Sequence, residues 1–335
     1  MKVLYGFDGM HCVAREARKH LRMLMILALT ASAATHAPCT APSIGKRSGH
    51  SLAYDQSRHR IVLYGGVADD PTNPFPRTLW SWDGARWECL DENGPPGRRD
   101  AFLAYDPARG RLVLFAGRTI TRDRQMRFFR DTWEWDGTSW TQVDSAGPAP
   151  RIHGAVAYDA GEKGIVVHGG GGSNDLLRDT WRWNGARWDS LPVVGPRGVG
   201  NSMFSAPNGA VVLSAMVDSA PECAGLMRAQ LHDLRANALA PRGPRGPCYS
   251  PQAPAAQTAS GFLLFASWEP RNAAITWLFS DGTWRQAPSS PPRRRGSYAA
   301  YDEARNRVVV FGGDDDSGLL GDTWEWTGTE WVRKG

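Results

Sequence analysis

Short apolar runs that end in a pair of glycines recur along this chain, as at 60–66 and 307–313. After each run and a loop of variable length come two aromatic residues two positions apart, then a turn, usually Asp-Gly or Asn-Gly, and another Trp. Residues two apart share one face of a strand, and Asp-Gly or Asn-Gly between apolar segments signals a tight hairpin. The pattern therefore predicts short antiparallel strands joined by tight turns, without helical periodicity between them.

The whole pattern repeats with a period near fifty residues. Each copy is marked by an arginine that precedes the first strand, and successive arginines are 46 to 53 residues apart. The six arginines are Arg47, Arg98, Arg151, Arg197, Arg245 and Arg294. Each copy predicts four strands: strand a carries a Tyr-Asp pair, b ends at the glycines, c carries the spaced aromatics and d the final Trp. Four short strands in a fifty-residue repeat are typical of a β-propeller blade.

We therefore expect an all-β, six-bladed propeller with four antiparallel strands per blade. Blades 4 and 5 are predicted to be degenerate, because copy 4 lacks the tryptophans and copy 5 lacks the glycine pair. The last copy contains its own strand d at Trp331, so ring closure needs no strand from the N-terminus.

The repeats resemble those of the kelch family, which are also found in the central propeller of galactose oxidase-like proteins. The resemblance rests on the opening Arg-Ser-Gly-His of 47–50, the Tyr-Asp pair, the glycine pair and the spaced tryptophans, over residues 45 to 335. It implies a kelch-type propeller of the kind seen in exported bacterial proteins, and it implies that the arginines before strand a contact a ligand. A fold of this kind hosts many activities, so the function has to be argued from the site.

The first 33 residues have the order of a secretory signal peptide. Basic residues precede the apolar run 23–29, and small residues follow it. Cleavage after Ala33 would lower the formal charge from +5 to +2, which leaves little basis for nucleic acid as a partner. No later stretch is apolar for long enough to span a membrane. We expect a secreted or periplasmic monomer in which a short extension, 34–44, precedes the propeller at 45–335.

Composition narrows the picture further. A hydrophobic fraction of 41%, with 37 glycines and 23 prolines in no three-residue period, excludes intrinsic disorder and collagen. Fourteen of the 15 tryptophans occupy repeat positions, which favours packing between blades over sugar stacking. Trp268, in the loop between strands b and c of copy 5, is the exception and the candidate for stacking on a ligand.

The six arginines are the main candidates for a ligand site. They precede the strand that is innermost in a propeller, so they should surround the mouth of the central channel, and guanidinium forks bind carboxylates and phosphates bidentately. Polar residues beside them are His50, Asp100, His153, Tyr249 and Tyr298. The alternative is structural, because an arginine found once per blade can instead bond to backbone carbonyls or to the Asp of a Tyr-Asp pair. The Arg-rich stretch from Arg118 to Arg130 is taken as a solvated loop.

Four cysteines remain after signal cleavage, and they allow three pairings. Cys223 and Cys248 fall on the same predicted face of adjacent blades, so we predict a disulfide between them. The pairing of Cys39 and Cys89 stays open.

These features predict an exported propeller that binds an anionic carbohydrate or acidic peptide at an arginine-lined mouth. One alternative is a metal-independent isomerase, epimerase or lyase acting on an acidic sugar or small metabolite, with His50, Asp100 or His153 as proton carrier. A second alternative is a protein–protein interaction scaffold. The chain has no Gly-x-Ser-x-Gly, His-Glu-x-x-His, phosphate-loop or dinucleotide motif, and we predict no cofactor and no metal.

Overall fold

The computed structural model describes residues 39–41, 43–173, 175–193, 202–206, 209–217, 227–233, 240–242, 246–249, 253–266 and 274–335. For its residues between 204 and 242, and for 249 and 266, it describes the backbone alone. Every helix or strand within these ranges is a β-strand, so the predicted all-β class is confirmed.

The strands of the first half are β1 (Arg47–Ser48), β2 (Ser51–Asp55), β3 (Arg60–Tyr64), β4 (Val67–Ala68), β5 (Leu79–Trp82), β6 (Trp87–Asp91), β7 (Phe102–Asp106), β8 (Arg111–Phe115), β9 (Arg118–Ile120), β10 (Met126–Phe128), β11 (Thr132–Trp135), β12 (Trp140–Asp144), β13 (Ala155–Asp159), β14 (Gly164–Gly171), β15 (Leu176–Trp183) and β16 (Trp188–Leu191). They form sheet 1 (β2-β3-β5-β6), sheet 2 (β7-β8-β11-β12) and sheet 3 (β13-β14-β15-β16), with the small pairs β1-β4 and β9-β10 beside them.

The second half has β17 (Ser202–Ala206), β18 (Gly209–Val217), β19 (Met227–Asp233), β20 (Ala240–Arg242), β21 (Cys248–Tyr249), β22 (Ala255–Thr258), β23 (Gly261–Ala266), β24 (Ile275–Ser280), β25 (Thr283–Gln286), β26 (Tyr298–Asp302), β27 (Arg307–Phe311), β28 (Asp314–Asp315), β29 (Gly318–Leu319), β30 (Thr323–Trp326) and β31 (Trp331–Arg333). They form sheet 4 (β17-β18-β19-β20, with β21), sheet 5 (β22-β23-β24-β25) and sheet 6 (β26-β27-β30-β31), with the pair β28-β29 beside sheet 6.

The prediction of six blades of four strands is not matched, because five sheets have four strands and sheet 4 has five. In sheet 4, β20 pairs with Leu231–Asp233 of β19, while β21 pairs with Met227 and Arg228 of the same strand. The strand β18 covers the opposite edge of β19 along its whole length, so two short strands share the outer edge. Sheet 5, predicted to be degenerate, has the same strand order as sheets 1 to 3.

The sheets surround a central channel as the blades of a β-propeller. Each first strand lies beside the first strand of the next sheet, from β2 through β7, β13, β17 and β22 to β26, and β26 lies beside β2 again. Sheet 6 closes against sheet 1 without exchanging a strand. Backbone hydrogen bonds between loops join the two sheets. Gly49 N–H donates to the Gly296 carbonyl (2.7 Å), and Gly313 N–H donates to the Arg47 carbonyl (2.7 Å).

Tryptophans bind neighbouring blades to each other. The Nε1–H of a strand-d Trp donates to a threonine at strand c of the preceding sheet in the pairs Trp87–Thr323 (3.0 Å), Trp188–Thr132 (2.9 Å) and Trp331–Thr276 (2.9 Å). The second Trp of strand c donates to a buried glutamate of the preceding sheet in the pairs Trp82–Glu325 (2.8 Å) and Trp183–Glu134 (2.7 Å). The predicted role of the repeated tryptophans in packing between blades is confirmed.

Three of the repeat arginines form the same buried unit within their own sheet. Arg98 donates from both terminal nitrogens to the two carboxylate oxygens of Asp131 (2.7 and 3.0 Å) and also to the carbonyl of Ala116 (3.0 Å). Asp131 accepts a further bond from Trp133 Nε1 (2.7 Å). The equivalent units are Arg151–Gly169–Asp179–Trp181 and Arg294–Gly312–Asp322–Trp324. Each unit joins the loop before strand a to the end of strand b and the start of strand c.

Sheet 1 has a weaker version of this unit. Arg47 donates to Thr78 Oγ1 (3.0 Å), at the position that Asp131 has in sheet 2, and to the carbonyls of Gly65 (3.2 Å) and Ile44 (2.6 Å). Burial lowers the pKa of Arg47 to about 10. Burial also raises the pKa of Asp131, but the hydrogen bond and charge of Arg98 outweigh it and hold that pKa below its usual range.

A disulfide joins Cys39 to Cys89, so the segment before the propeller is fixed to strand d of sheet 1. Sequence reasoning had left this pairing open. Cys248 is also disulfide-bonded. Cys223 lies outside the described residues, so its predicted pairing with Cys248 stays a prediction, as does the signal peptide at 1–33.

Replacing Arg98 with Met is expected to destabilise the fold more than the same change at Arg47. The first change leaves the Asp131 carboxylate without its cation, which costs about 3–5 kcal/mol for a buried pair. The second leaves only neutral acceptors unpaired, at about 1–3 kcal/mol. Urea unfolding followed by Trp fluorescence measures both losses, and equal losses would contradict the importance of the buried carboxylate.

Candidate functional site

One cavity of about 330 Å³ lies inside the ring of sheets. Its lining comes from the first strands of all the sheets, and small side chains line much of its length: Ala53, Ala104, Ala157, Ala256 and Ala300. Tyrosines line it where the first strands end: Tyr54, Tyr105, Tyr158 and Tyr301. Polar residues line it where the first strands begin, and we call that end, with Asp100, His153, Ser297 and Tyr298, the channel mouth.

The residue two positions after each buried arginine has a left-handed backbone. Sheets 1 and 6 place glycine there, with φ of 69° at Gly49 and 59° at Gly296. Sheets 2 and 3 place Asp100 (φ 57°) and His153 (φ 53°) at the same point. A left-handed backbone costs a residue with a Cβ about 1–2 kcal/mol. Turn residues such as His59 and Lys163 have a similar φ, so Asp100 and His153 mark the mouth as the candidate site because they also line the cavity.

Asp100 is the centre of the charged groups at the mouth. Its side chain is 1% exposed, and its Oδ2 accepts the Nε–H of Arg99 (3.0 Å) and the Nε–H of Arg118 (3.0 Å). His153 Nε2 lies 3.7 Å from the same oxygen. Burial lowers the pKa of His153, the charge of Asp100 opposes this, and Arg118 and Arg99 add to the lowering, so the imidazole is neutral at pH 7.

The two arginines that bond to Asp100 carry unused donors behind the mouth, and neither lines the cavity itself. Arg99 and Arg118 are joined by their backbones, with N–H to carbonyl distances of 2.8 and 3.0 Å. Their side chains are 28% and 22% exposed. Arg118 Nη1 lies near Met126 Sδ (3.6 Å), and the other terminal nitrogens of this pair have no acceptor within the described part of the chain. A guanidinium fork with free terminal nitrogens is suited to a carboxylate or phosphate.

Two further polar groups complete the mouth. Ser297 is 2% exposed, and its Oγ has no hydrogen-bond partner among the residues that the structure describes. Tyr298 is close enough to Asp100 to respond to its charge, although burial is the main reason that the pKa of Tyr298 is raised. Both are hydroxyl groups that a polar ligand can bond.

His50 does not belong to this site. It is fully buried, and its ring contacts Tyr298 (5.8 Å between centroids) and Phe311 (5.5 Å) edge to face. Burial, reinforced by the charge of Arg47, lowers the pKa of His50 to about 3. A buried, neutral imidazole that does not line the cavity is unsuited to carry protons for a ligand, so we remove His50 from the candidate residues.

The arginines that sequence analysis placed at the mouth lie elsewhere. The side chains of Arg98, Arg151 and Arg294 are 0% exposed, and those of all four described arginines, Arg47 included, bond to groups of their own sheets. This corrects their assignment to a ligand and confirms the backbone carbonyls expected as structural partners. The side-chain partner is an Asp before strand c in sheets 2, 3 and 6 and Thr78 in sheet 1, not the Asp of the Tyr-Asp pair. Arg197, Arg245, Trp268 and the side chain of Tyr249 lie outside what is described.

Sequence reasoning missed Arg99 and Arg118. The stretch from Arg118 to Arg130 was expected to be a solvated loop, but it contains the hairpin β9–β10, and Arg118 reaches back from it to Asp100. The sequence did contain a signal for this site. Asp100 and His153 align with Gly49 and Gly296 of other copies, and a polar side chain where other copies have glycine points to a role in the site.

The described residues offer neither a cluster of metal ligands nor a membrane-spanning helix. No three His, Cys, Asp or Glu side chains come together there as the ligands of a metal would. No helix in that part of the chain is long and apolar enough to cross a membrane.

The burial of His50 predicts a pH dependence of stability. The unfolded chain binds a proton at His50 below about pH 6.5, whereas the folded chain does so only near its lowered pKa of about 3. This part of the stability is therefore complete above pH 6.5 and is lost as the pH falls, at up to about 1.4 kcal/mol per pH unit. Urea unfolding between pH 4 and 7 should show a smaller slope for His50→Gln than for the wild type, and His59→Gln serves as the exposed control. Equal slopes for wild type and His50→Gln would contradict it.

The strain at His153 predicts that glycine is tolerated there. We expect His153→Gly to raise the free energy of unfolding by about 0.5–1 kcal/mol, since relief of the left-handed backbone exceeds the entropic cost of glycine. Lys163, with a φ of 53° in the turn between β13 and β14, is the matched control for the same substitution. If His153→Gly loses stability and Lys163→Gly does not, the His153 side chain stabilises the fold and the prediction is wrong.

Comparison with known proteins supports the fold and assigns no activity. No protein-family model matches the chain. Dynein regulatory complex subunit 7 of Chlamydomonas reinhardtii is 30% identical over 131 residues, which is 37% of this chain and only 11% of that protein. The solved structure of YjhT superposes with a TM-score of 0.65 at 13% identity, covering 88% of this chain and 99% of that one. At this identity the likeness shows a shared fold alone, and that fold is the β-propeller.

Proposed function

We propose that this protein binds the carboxylate of a small acidic sugar at the channel mouth, through the terminal nitrogens of Arg99 and Arg118. The observation that carries the proposal is the pair of Nε–H bonds to one Asp100 oxygen, both 3.0 Å long. These bonds use the Nε–H of each guanidinium and leave its terminal nitrogens for a ligand, except Arg118 Nη1, which lies beside Met126 Sδ. Asp100 thus orients both forks before the ligand arrives, which lowers the entropic cost of binding.

The charge of the mouth favours an anion. Two guanidinium groups flank a single carboxylate, and His153 contributes no negative charge, so a ligand carboxylate meets a net positive cluster. Partial burial of the two arginines strengthens the attraction compared with an exposed pair. Ser297 and Tyr298 add hydroxyl groups for the remaining oxygens of the ligand.

The size of the channel favours a monomeric ligand. About 330 Å³ is near the lower limit of known small-molecule sites. The alanines beyond the mouth leave room for the ring of a sugar and offer it apolar contacts. A sugar acid would therefore enter with its carboxylate at the arginines and its ring between the first strands.

We propose in addition that the blades are of the kelch type and that sheet 4 serves as one of six blades. The split outer edge of sheet 4, made of β20 and β21, occupies the place of strand d in the other sheets. The repeated arginine, glycine pair and spaced tryptophans support the kelch assignment.

We also propose that the protein is exported to an oxidising compartment. The Cys39–Cys89 disulfide and the disulfide-bonded state of Cys248 support this, because disulfides persist mainly outside the cytosol. The signal-like order of residues 1–33 is consistent with the same route.

Isothermal titration with D-glucuronate tests the binding site. We expect saturable binding by the wild type, no binding of D-glucose, and a loss of affinity of roughly tenfold to a hundredfold in Arg118→Ala, as for hydrogen bonds to charged groups. Arg86→Ala, which removes an exposed arginine from the turn between β5 and β6, should bind as the wild type does. Each variant is compared for stability by urea unfolding first.

Unchanged affinity in Arg118→Ala would contradict the site, and so would equal binding of D-glucose. If a short polyglutamate peptide binds at Arg118 and D-glucuronate does not, the ligand class is an acidic peptide. If neither ligand binds, the channel mouth is not an anion site, and the alternative function as an interaction scaffold is favoured.

A second candidate function, isomerisation or elimination on an acidic sugar, is favoured by one observation. His153 is neutral and lies 3.7 Å from the Asp100 carboxylate at the mouth, so it can accept a proton from a bound ligand while Asp100 stabilises the resulting imidazolium. Incubation of D-glucuronate in D₂O tests this by NMR. Deuterium incorporation by the wild type that is lost in His153→Gln, while D-glucuronate still binds, would establish catalysis. If the wild type incorporates no deuterium, the protein binds D-glucuronate without catalysing its reaction.

A further inference from the structure

A second cavity, of about 220 Å³, lies between sheets 5 and 6. We call it the blade cleft. Residues from sheet 5 and its turns line one wall, including Phe262, Leu278 and Arg285. Residues from sheet 6 line the other, including Trp326 and Gly328. Neither the repeat pattern nor the channel accounts for this space.

At three other contacts between neighbouring sheets, an arginine occupies this position. In sheets 1, 2 and 6 the turn between strands a and b carries an arginine that packs under the glycine of the c–d hairpin in the next sheet, whereas sheet 3 has Glu162 there. A Cβ added at Gly137 would lie 2.5 Å from Arg58 Nη2, and one added at Gly185 would lie 2.9 Å from Arg109 Nε. Arg305 packs against Gly84 in the same way.

Sheet 5 lacks this arginine because its turn is shorter. The pairing Thr258↔Gly261 leaves two residues in the turn, whereas Asp302↔Arg307 in sheet 6 leaves four. Both the Asp and the Arg of the longer turns are therefore absent from sheet 5. A Cβ added at Gly328 would meet nothing within 4 Å, which places the resulting space at the hairpin glycine of sheet 6.

The same interface leaves an indole donor without the acceptor found at two other interfaces. Trp183 donates to Glu134 and Trp82 donates to Glu325, each a glutamate of the preceding sheet, whereas sheet 1 has Ser81 at the position facing Trp135. In sheet 5 the position of that glutamate is Leu278. Trp326 is 4% exposed and lines the cleft, and its Nε1–H, which has no acceptor among the described residues, opens into that space.

A cation lines the same cleft as this donor. In the complete interfaces the glutamate oxygen that accepts the indole also accepts an arginine, at 2.6 Å for Arg109 and 2.6 Å for Arg305. At the blade cleft an arginine is supplied from strand d of sheet 5, by Arg285, whose side chain forms no bond with any described residue. The cleft thus has an indole donor and a guanidinium, but it lacks the carboxylate that would join them.

We propose that the blade cleft binds a carboxylate group carried on a flat apolar body. The carboxylate takes the place of the missing glutamate and accepts bonds from Trp326 Nε1 and Arg285. The body packs against Phe262, Phe279 and Tyr301, which line the cleft. Small aromatic acids and peptides ending in Phe share this chemistry. The inference is independent of the function proposed for the channel mouth.

NMR titration with phenylacetate tests the proposal, with the indole N–H signal of Trp326 assigned from its absence in Trp326→Phe. We expect this signal to move downfield and to saturate, and 2-phenylacetamide, which lacks the charge, not to move it. Arg285→Ala should weaken binding by roughly fivefold or more, as the loss of a hydrogen bond to a charged group does. Arg86→Ala is the matched control and should bind as the wild type does.

Leu278→Glu supplies the missing carboxylate from within the chain. It should move the Trp326 signal without ligand and abolish binding of phenylacetate. If that variant does not fold, titration of Arg285→Ala with phenylacetate still tests the proposal. A Trp326 signal that phenylacetate does not move, or that phenylacetamide moves equally, would overturn the proposal, and so would unchanged affinity in Arg285→Ala.

The source of the ligand is distinguished by N-acetyl-Ala-Phe. Tighter binding than phenylacetate assigns the cleft to the carboxyl end of a peptide, and weaker binding assigns it to a small aromatic acid. Arg285→Ala should leave the titration with D-glucuronate unchanged, so a failure here is distinguishable from a failure at the channel mouth.

Discussion

In sheets 2, 3 and 6 a buried bridge between an arginine and an aspartate determines how the blade is built and where its polar residues lie. In sheet 2, Arg98 holds the Ala116 carbonyl at the end of strand b and the Asp131 carboxylate before strand c. Because Arg98 is fixed inside the blade, the next two residues are fixed at the channel mouth. Arg99 and Asp100 owe their positions to this bridge. A residue that binds no ligand itself therefore orients those that are proposed to bind one.

The repeat and its exceptions have different roles in this molecule. Where copies agree, the residues hold the propeller together: the arginine bridge, the indole bonds between blades and the turns capped by aspartate. Where copies differ, side chains become available for chemistry. Asp100 and His153 replace glycine at a left-handed position, and Leu278 replaces a glutamate that would satisfy Trp326. Both proposed sites lie at such exceptions.

The sequence alone predicted the all-β class, the four strands of sheets 1, 2, 3, 5 and 6, and the packing role of the tryptophans. Those features follow from local patterns, such as aromatics two apart and Asp-Gly turns, which act within a few residues. The position of Arg98 could not be read in the same way. Its partners are 18 and 33 residues away, and only folding brings them around the guanidinium. The Cys39–Cys89 disulfide, which spans 50 residues, was left open for the same reason.

The proposed site at the mouth depends on the contact of Arg118 with Asp100, which the repeat pattern does not reveal. Arg118 is twenty residues from Arg98 in sequence, within a stretch that reads as a polar loop, and only the hairpin β9–β10 returns it to Asp100. A crystal structure of the protein soaked with D-glucuronate tests the account most directly. The account predicts density in the mouth with the carboxylate within hydrogen-bond distance of the terminal nitrogens of Arg99 and Arg118. An empty mouth at a saturating ligand concentration, or ligand bound only elsewhere, would contradict it.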